Sequence, residues 1–299
     1  MSTVLTAPRT RARTSAVEAE LNYLARGNTR PVNYTFEPPA GTPWNSGALD
    51  PRRVTIRNAR PLAEAGEISL DRNGFQIVSH RSAVSDFSDD SLIRLVYRPE
   101  AEALLRDLTG AEKVVIFDHT IRDSANGSRA NAALREPVRR VHNDQTFVSG
   151  PRRVRDHLDA EEAQQRLKHR FAIVNLWRPL SVVEQLPLAL CDARSIAADD
   201  LVPSDLVYRD KTGETYSFLA NPQHRWFFFP RLRPEEVLLL KIYDSLEDGT
   251  ARLTAHTAFE DPTSPVDAPA RRSIELRALL FWPASNDTRT PGRALSDNS

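Results

Sequence analysis

Cysteine is almost missing from this 299-residue chain, where Cys191 is the only one. A single thiol forms no intrachain disulfide, and a zinc site built on several thiolates is excluded with it. Long apolar runs are missing too. No stretch of about 18 apolar residues occurs, so no membrane-spanning helix is expected. The first ten residues, Met-Ser-Thr-Val-Leu-Thr-Ala-Pro-Arg-Thr, lack the apolar core of a secretion signal. Net charge is absent: 40 basic side chains balance 40 acidic ones. That balance offers nothing to capture nucleic acid or an anionic membrane surface. Arginine far outnumbers lysine, but the arginines lie along the whole chain beside acids and form no stripe. Internal repeats and an obvious linker are also lacking. What remains, 40% hydrophobic and 27% charged, is an ordinary globular composition. One domain in the cytoplasm is the expectation.

Residues 1–15 read as a loose tail and residues 17–24 as a short helix, with Ser15 as its N-cap. Residues 28–51 are rich in Pro, Gly and Asn, and predict an ordered arm that packs Tyr34, Phe36 and Trp44 on the body. Strand patterns follow at 53–59 and 74–80, with a polar link between. Near-helical apolar spacing predicts a helix over 93–108, ended at Gly110, where a positive φ is often needed. Residues 113–118 form an apolar strand, and a polar loop runs on to residue 136. Residues 138–147 predict a strand broken by Gly150-Pro151, and residues 159–169 a polar surface helix. From there strands dominate, at 171–177, 188–192, 205–209, 215–219, 225–229, 237–243, 251–259 and 272–282. A one-turn helix is expected at 234–236. Early helices, then seven or eight short strands between turn signals, argue for an α+β chain with an antiparallel sandwich or barrel. A jelly roll suits the count.

The chemistry begins at residues 139–145, Arg-Arg-Val-His-Asn-Asp-Gln. His142 and Asp144 are two apart, and on an extended strand such residues point to one side. They make two thirds of a site that takes two histidines and one carboxylate and leaves coordination positions open. The third ligand must come from a distant strand, and His256, in Leu-Thr-Ala-His-Thr-Ala-Phe, is the candidate. Such a set suits Fe(II), with open positions for a bidentate 2-oxo acid and dioxygen. The bland alternative is an ordinary hydrogen-bonded pair at a strand end. His119, beside Asp118, is a rival ligand, but His142 shares a face with its carboxylate.

The last predicted strand adds context. Arg-Arg-Ser-Ile-Glu-Leu-Arg places Arg271, Ser273, Glu275 and Arg277 on one side, about one hairpin after His256. A planar guanidinium matches a carboxylate, and a serine two residues on adds a hydrogen bond. Arg271 is favoured as the clamp and Arg277 is second; the alternative is a structural Arg277–Glu275 pair.

Asn-Leu-Trp-Arg-Pro (175–179), Asn-Pro-Gln-His-Arg-Trp (221–226), Glu-Val-Leu-Leu-Leu-Lys-Ile-Tyr-Asp (236–244), Ala-His-Thr-Ala-Phe (255–259) and the 271–277 segment together resemble one family. It is the hydroxylase/desaturase family that includes gibberellin desaturase-like proteins and the cephem 7α-methoxylase small-subunit type. The resemblance spans roughly residues 70–283. It implies a double-stranded β-helix with flanking helices over 71–283, behind an N-terminal arm and loops over 1–70. It also implies Fe(II) and 2-oxoglutarate, with His142, Asp144 and His256 as the iron ligands. A small-molecule substrate and dioxygen are the expected partners, and a homodimer is compatible.

Other side chains carry lesser expectations. Asn175 and Trp177 share a face and could line a substrate pocket, though Trp177 fits a core role equally well. Arg178 could bind a substrate carboxylate or cap a loop. His224 could touch substrate or sit on the surface. Tyr208 and Tyr216 are candidate hydroxyl donors, and Tyr208 is assigned to the co-substrate. The aromatic run 226–229 reads as sheet core. The expected function is hydroxylation, desaturation or cyclisation of a small metabolite, an amino acid or natural-product intermediate. The competing classes are a metal-dependent enzyme without 2-oxoglutarate and a non-catalytic small-molecule-binding protein on the same fold.

Overall fold

The computed structural model describes residues 15–27, 30–127 and 134–283. The tails expected at 1–14 and after 283 lie outside the described residues. In chain order the elements are β1 (Ala16–Leu24), β2 (Val32–Tyr34), β3 (Leu49–Asn58), α1 (Arg60–Glu64), α2 (Leu70–Asn73), β4 (Phe75–Ser79) and α3 (Asp90–Leu92). A π-helical turn over Ile93–Tyr97 leads into α4 (Arg98–Thr109), followed by β5 (Lys113–Asp123), β6 (Leu134–Arg135) and β7 (His142–Asn143). Then come α5 (Ser149–His157), α6 (Ala160–Arg166), β8 (Phe171–Pro179), β9 (Leu188–Cys191), β10 (Leu201–Val207) and β11 (Thr212–Phe218). The chain closes with β12 (Trp226–Phe228), β13 (Glu236–Asp244), β14 (His256–Ala258) and β15 (Arg272–Phe281). Among the described residues no helix is long and apolar enough to cross a membrane.

The strands form two facing sheets. One has nine strands in the order β1-β3-β12-β9-β14-β7-β11-β10-β2, the other six in the order β4-β13-β8-β15-β5-β6. Most neighbours are antiparallel, and the two curled sheets with flanking helices form a jelly roll. Strand alternation divides the smaller sheet into two apolar faces. Phe171, Ile173 and Trp177 of β8 pack with Leu188, Leu190 and Phe227 of the larger sheet. Val174 and Leu176 turn the other way, against Ile93, Tyr97, Ala101 and Leu105 of the helical layer. A strand buried on both faces reads as an unbroken apolar run, which is why 171–177 stands out in the sequence.

Three expectations are corrected. Residues 17–24 form an edge strand, not a helix: Val17, Ala19, Leu21 and Tyr23 are buried and Glu18 and Glu20 exposed. A period of two outweighs the helix propensity of Ala and Glu. Residues 234–236 do not open a helix, because Glu236 begins β13. The strand expected over 138–147 shrinks to His142–Asn143. Thr146 and Ser149 exchange backbone-to-hydroxyl hydrogen bonds, a local turn that ends the strand and starts α5.

Candidate active site

Neighbouring strands of the larger sheet bring the expected ligands together. His256 on β14 pairs directly with His142 on β7, and their rings lie 4.3 Å apart between centroids. Asp144 follows β7 by one residue, outside the strand, yet its carboxylate still turns to the same point. One ligand atom from each of His142, Asp144 and His256 lies within 4.8 Å of the others.

Hydrogen bonds fix how these groups present themselves. His142 Nδ1 lies 2.7 Å from the Arg140 carbonyl, which only accepts, so the neutral ring carries its proton there. That leaves the Nε2 lone pair 3.5 Å from Asp144 Oδ1. Two acceptors facing each other without a proton between them fit a cation. His256 is 4% exposed, and burial pulls it down to about 3, so it is neutral, as a ligand must be. Burial opposes ionisation of Asp144, yet the Arg277 guanidinium holds it well below the usual carboxylate range. Its other oxygen accepts from Arg277 Nε at 3.0 Å and from Asn175 Nδ2 at 2.8 Å. Asn175 therefore orients the carboxylate, a role its place in the sequence did not reveal.

The smaller sheet faces this triad with a charged patch. On β15 the inward positions are Ser273, Glu275 and Arg277, opposite Pro179, Trp177 and Asn175 of β8. Arg277 is fully engaged: besides Asp144 it binds Asp118, Thr120 and Glu275, each at about 3 Å. Burial works against its charge, but Glu275, Asp144 and Asp118 overcome this and raise its pKa. Arg271 is the opposite case. It is 2% exposed, lies 5.6 Å over the Trp177 ring and donates to the Leu186 carbonyl. It makes no ion pair among the described residues, and its Nε and the Ser273 hydroxyl are buried without partners. Burial and repulsion from Arg122 press its pKa downward. A buried cation beside an unused hydroxyl fits an incoming carboxylate.

The remaining expectations divide. Trp177 is in the inter-sheet core and flanks Arg271. Tyr208 is half-buried near Arg277 and Asp144, and its hydroxyl has no hydrogen-bond partner among the described residues. Tyr216 instead accepts from the Phe147 amide. Arg178 is corrected as a substrate contact: it faces the helical layer because it alternates with Trp177 along β8, and it caps loops there, bonding Tyr97, His80 and the Pro234 carbonyl. His224 is corrected as well. It is neither at the triad nor on the surface; its side chain is 1% exposed between Asp200 and Tyr23. The rival ligand His119 also points to the helical layer, toward Arg98 and Asp90. A surface cavity of about 920 Å³ lined by Arg60, Glu184, Arg231 and Glu236 holds none of the triad. Four of its charged side chains are paired with each other, Arg60 with Glu236 and Arg231 with Glu184.

Comparison with known proteins agrees with this geometry. A family described as "Oxidoreductase/YMDC permease-like domain" matches residues 21–281. Hydroxylase/desaturase efuI of Hormonema carpetanum is 36% identical over 251 residues, 77% of this chain and 83% of its own. The Fe(II)/2-oxoglutarate-dependent dioxygenase nvfI of Aspergillus novofumigatus is 31% identical over 265 residues, 85% of this chain and 92% of its own. A solved structure of the iron and alpha-ketoglutarate-dependent endoperoxidase NvfI superposes with a TM-score of 0.79 at 29% identity, over 90% of this chain and 98% of that one. Fold, donor set and relatives define an Fe(II)/2-oxoglutarate-dependent oxygenase acting on a small molecule with dioxygen. Within that class the chain belongs to the hydroxylase/desaturase family.

Proposed function

We propose that His142, Asp144 and His256 hold Fe(II), and that Arg271 with Ser273 binds the distal carboxylate of 2-oxoglutarate. The primary substrate is a small natural-product intermediate, hydroxylated, desaturated or cyclised at an unactivated C–H bond. The observation that carries this reading is the contrast between two arginines, Arg277 on β15 and Arg271 just before it. Arg277 has every direction occupied, whereas Arg271 is buried with a free Nε and a free serine hydroxyl beside it.

When bound, iron and the 2-oxo acid would activate dioxygen, the oxidant that removes hydrogen from carbon. The chain's own groups do the rest. Arg277 and Asn175 keep Asp144 ionised and aimed, and the Arg140 carbonyl keeps the His142 proton on Nδ1. Trp177 walls the Arg271 guanidinium from one side, and the apolar inter-sheet core excludes water. A reducing compartment, the cytoplasm, suits a ferrous centre.

The test is succinate release measured against oxygen uptake. Wild type with Fe(II) should convert 2-oxoglutarate to succinate with about one dioxygen consumed. Arg271→Met should raise the concentration of 2-oxoglutarate needed by roughly 30-fold or more, the usual loss for one partner of a buried charge pair. Succinate formation with unchanged 2-oxoglutarate demand in Arg271→Met would reject the clamp assignment.

A further inference from the structure

On the side of β15 away from Trp177, a second pair of cations faces the same space. Arg122 on β5 lies opposite Ser273 of β15, and Arg135 on β6 lies beside Arg122 in parallel register. Residues paired across strands project to one face, so both guanidinium groups share the inner side with Ser273. Arg122 has a side chain only 12% exposed and donates to the Glu136 carbonyl. Its nearest carboxylate, Glu275, is 3.9 Å away and is already engaged by Arg277 and Asn175. Arg135 is half-buried, and its side chain makes no hydrogen bond or ion pair among the described residues. Tyr208, with its free hydroxyl, stands within electrostatic reach of Arg135 and Arg277 on this flank.

Charge balance shows what is missing. Four guanidinium groups, Arg122, Arg135, Arg271 and Arg277, face three carboxylates, Asp144, Glu275 and Asp118. A divalent cation and a doubly charged 2-oxo acid cancel each other, so the loaded site keeps one positive charge in excess. Arg271 serves the co-substrate and Arg277 serves Asp144, which leaves the excess on the Arg122–Arg135 flank. Buried, poorly paired cations favour an anionic visitor.

We propose that Arg122 and Arg135 hold an anionic group, a carboxylate, of the primary substrate, and so select acids over their uncharged analogues. This rests on the metal and co-substrate assignments above. Tyr208 completes the flank as a hydroxyl donor to the same group.

The probes are two dyes that differ by one anionic group, 1-anilinonaphthalene-8-sulfonate and the uncharged N-phenyl-1-naphthylamine. Each is titrated by fluorescence into the full chain loaded anaerobically with Fe(II) and 2-oxoglutarate. Wild type should bind the sulfonate more tightly than the neutral dye. Arg122→Gln should weaken the sulfonate by about tenfold and Arg135→Gln by about threefold, with the neutral dye unchanged and Arg122→Lys, which keeps the charge but not the planar fork, in between. Equal binding of both dyes to wild type, or sulfonate binding unaffected by both substitutions, overturns the proposal. The visible band of the Fe(II)–2-oxoglutarate complex is recorded on the same samples. Its absence from wild type sinks the underlying assignment instead. Its loss only in Arg122→Gln moves Arg122 to the co-substrate and also overturns the proposal. Should Arg122→Gln fail to fold, the half-exposed Arg135→Gln decides by the same criterion.

Discussion

Arg271, just before β15, and Arg277, within it, lie close in the chain, yet their neighbours divide their tasks. Arg277 supports Asp144, a proposed metal ligand, so Arg277→Met should lower metal affinity by about 10- to 100-fold, the range seen for groups that orient ligands. Metal titration by calorimetry checks this, and unchanged affinity would contradict it. Arg271→Met should leave metal affinity within about twofold, since it touches no ligand. Acid sensitivity is also set at single residues. In the metal-free protein burial holds His256 down to about 3, against about 6.5 in an unfolded chain. Between those values the unfolded chain binds the extra proton. Stability is therefore full above about pH 6.5 and falls as the pH drops toward 3. The urea midpoint of metal-free protein should decline through that window, and His256→Gln should flatten the decline. A midpoint equally acid-sensitive in both proteins would place the effect elsewhere. At this scale the His-x-Asp pair and the later histidine were readable because residue type and chain order survive without coordinates. Asn175 was placed on the right face but given the wrong partner. Its bond to Asp144 joins two sheets, and no local pattern encodes that.

Elements were readable where periodicity was strong and local. The runs at 171–177 and 237–243 are strands buried on both faces, and that at 113–118 is a strand buried on one face and half-buried on the other. Gly110 ends α4 at φ 68, as its position after an apolar helix implies. The segment around Gly150 was misread as a plain break. It starts α5, with Pro151 in the first turn, where a missing amide proton costs nothing. Gly150 is required there by contact: a Cβ would collide with the Tyr243 ring. Gly150→Ala should therefore destabilise the protein by about 1–3 kcal/mol, as overpacking does. Urea unfolding checks this, and a loss below about 0.5 kcal/mol would show that Tyr243 yields freely. Because α5 follows the Asp144 turn directly, the same variant should also weaken metal binding.

At the scale of the molecule, the jelly roll could be inferred from strand count and turn spacing, but not the sheet order. The larger sheet places β12 between β3 and β9, and β7 between β14 and β11, pairings between segments far apart in the chain. Periodicity reports which face a strand buries and says nothing about its neighbour. Of the strands within residues 16–58, β3 was expected as a strand over 53–59, β1 was read as a helix, and β2 fell in the expected arm, so this side of the large sheet was not foreseen. Ligand linkage acts on this whole assembly. The three ligand residues come from two segments joined only by the fold, so a bound metal stabilises the native state alone. Mn(II) at about 100 times its dissociation constant should add about 2.7 kcal/mol, a rise of several degrees in melting temperature. His142→Ala should lose that rise.

Convergence of three distant side chains on one ferrous ion is tested most directly by anaerobic absorption. Adding Fe(II) and 2-oxoglutarate to wild type should produce a visible charge-transfer band with one-to-one stoichiometry. His142→Ala and His256→Ala, each folded by circular dichroism, should show none. A band of wild-type strength in either variant, or none in wild type, would contradict the account.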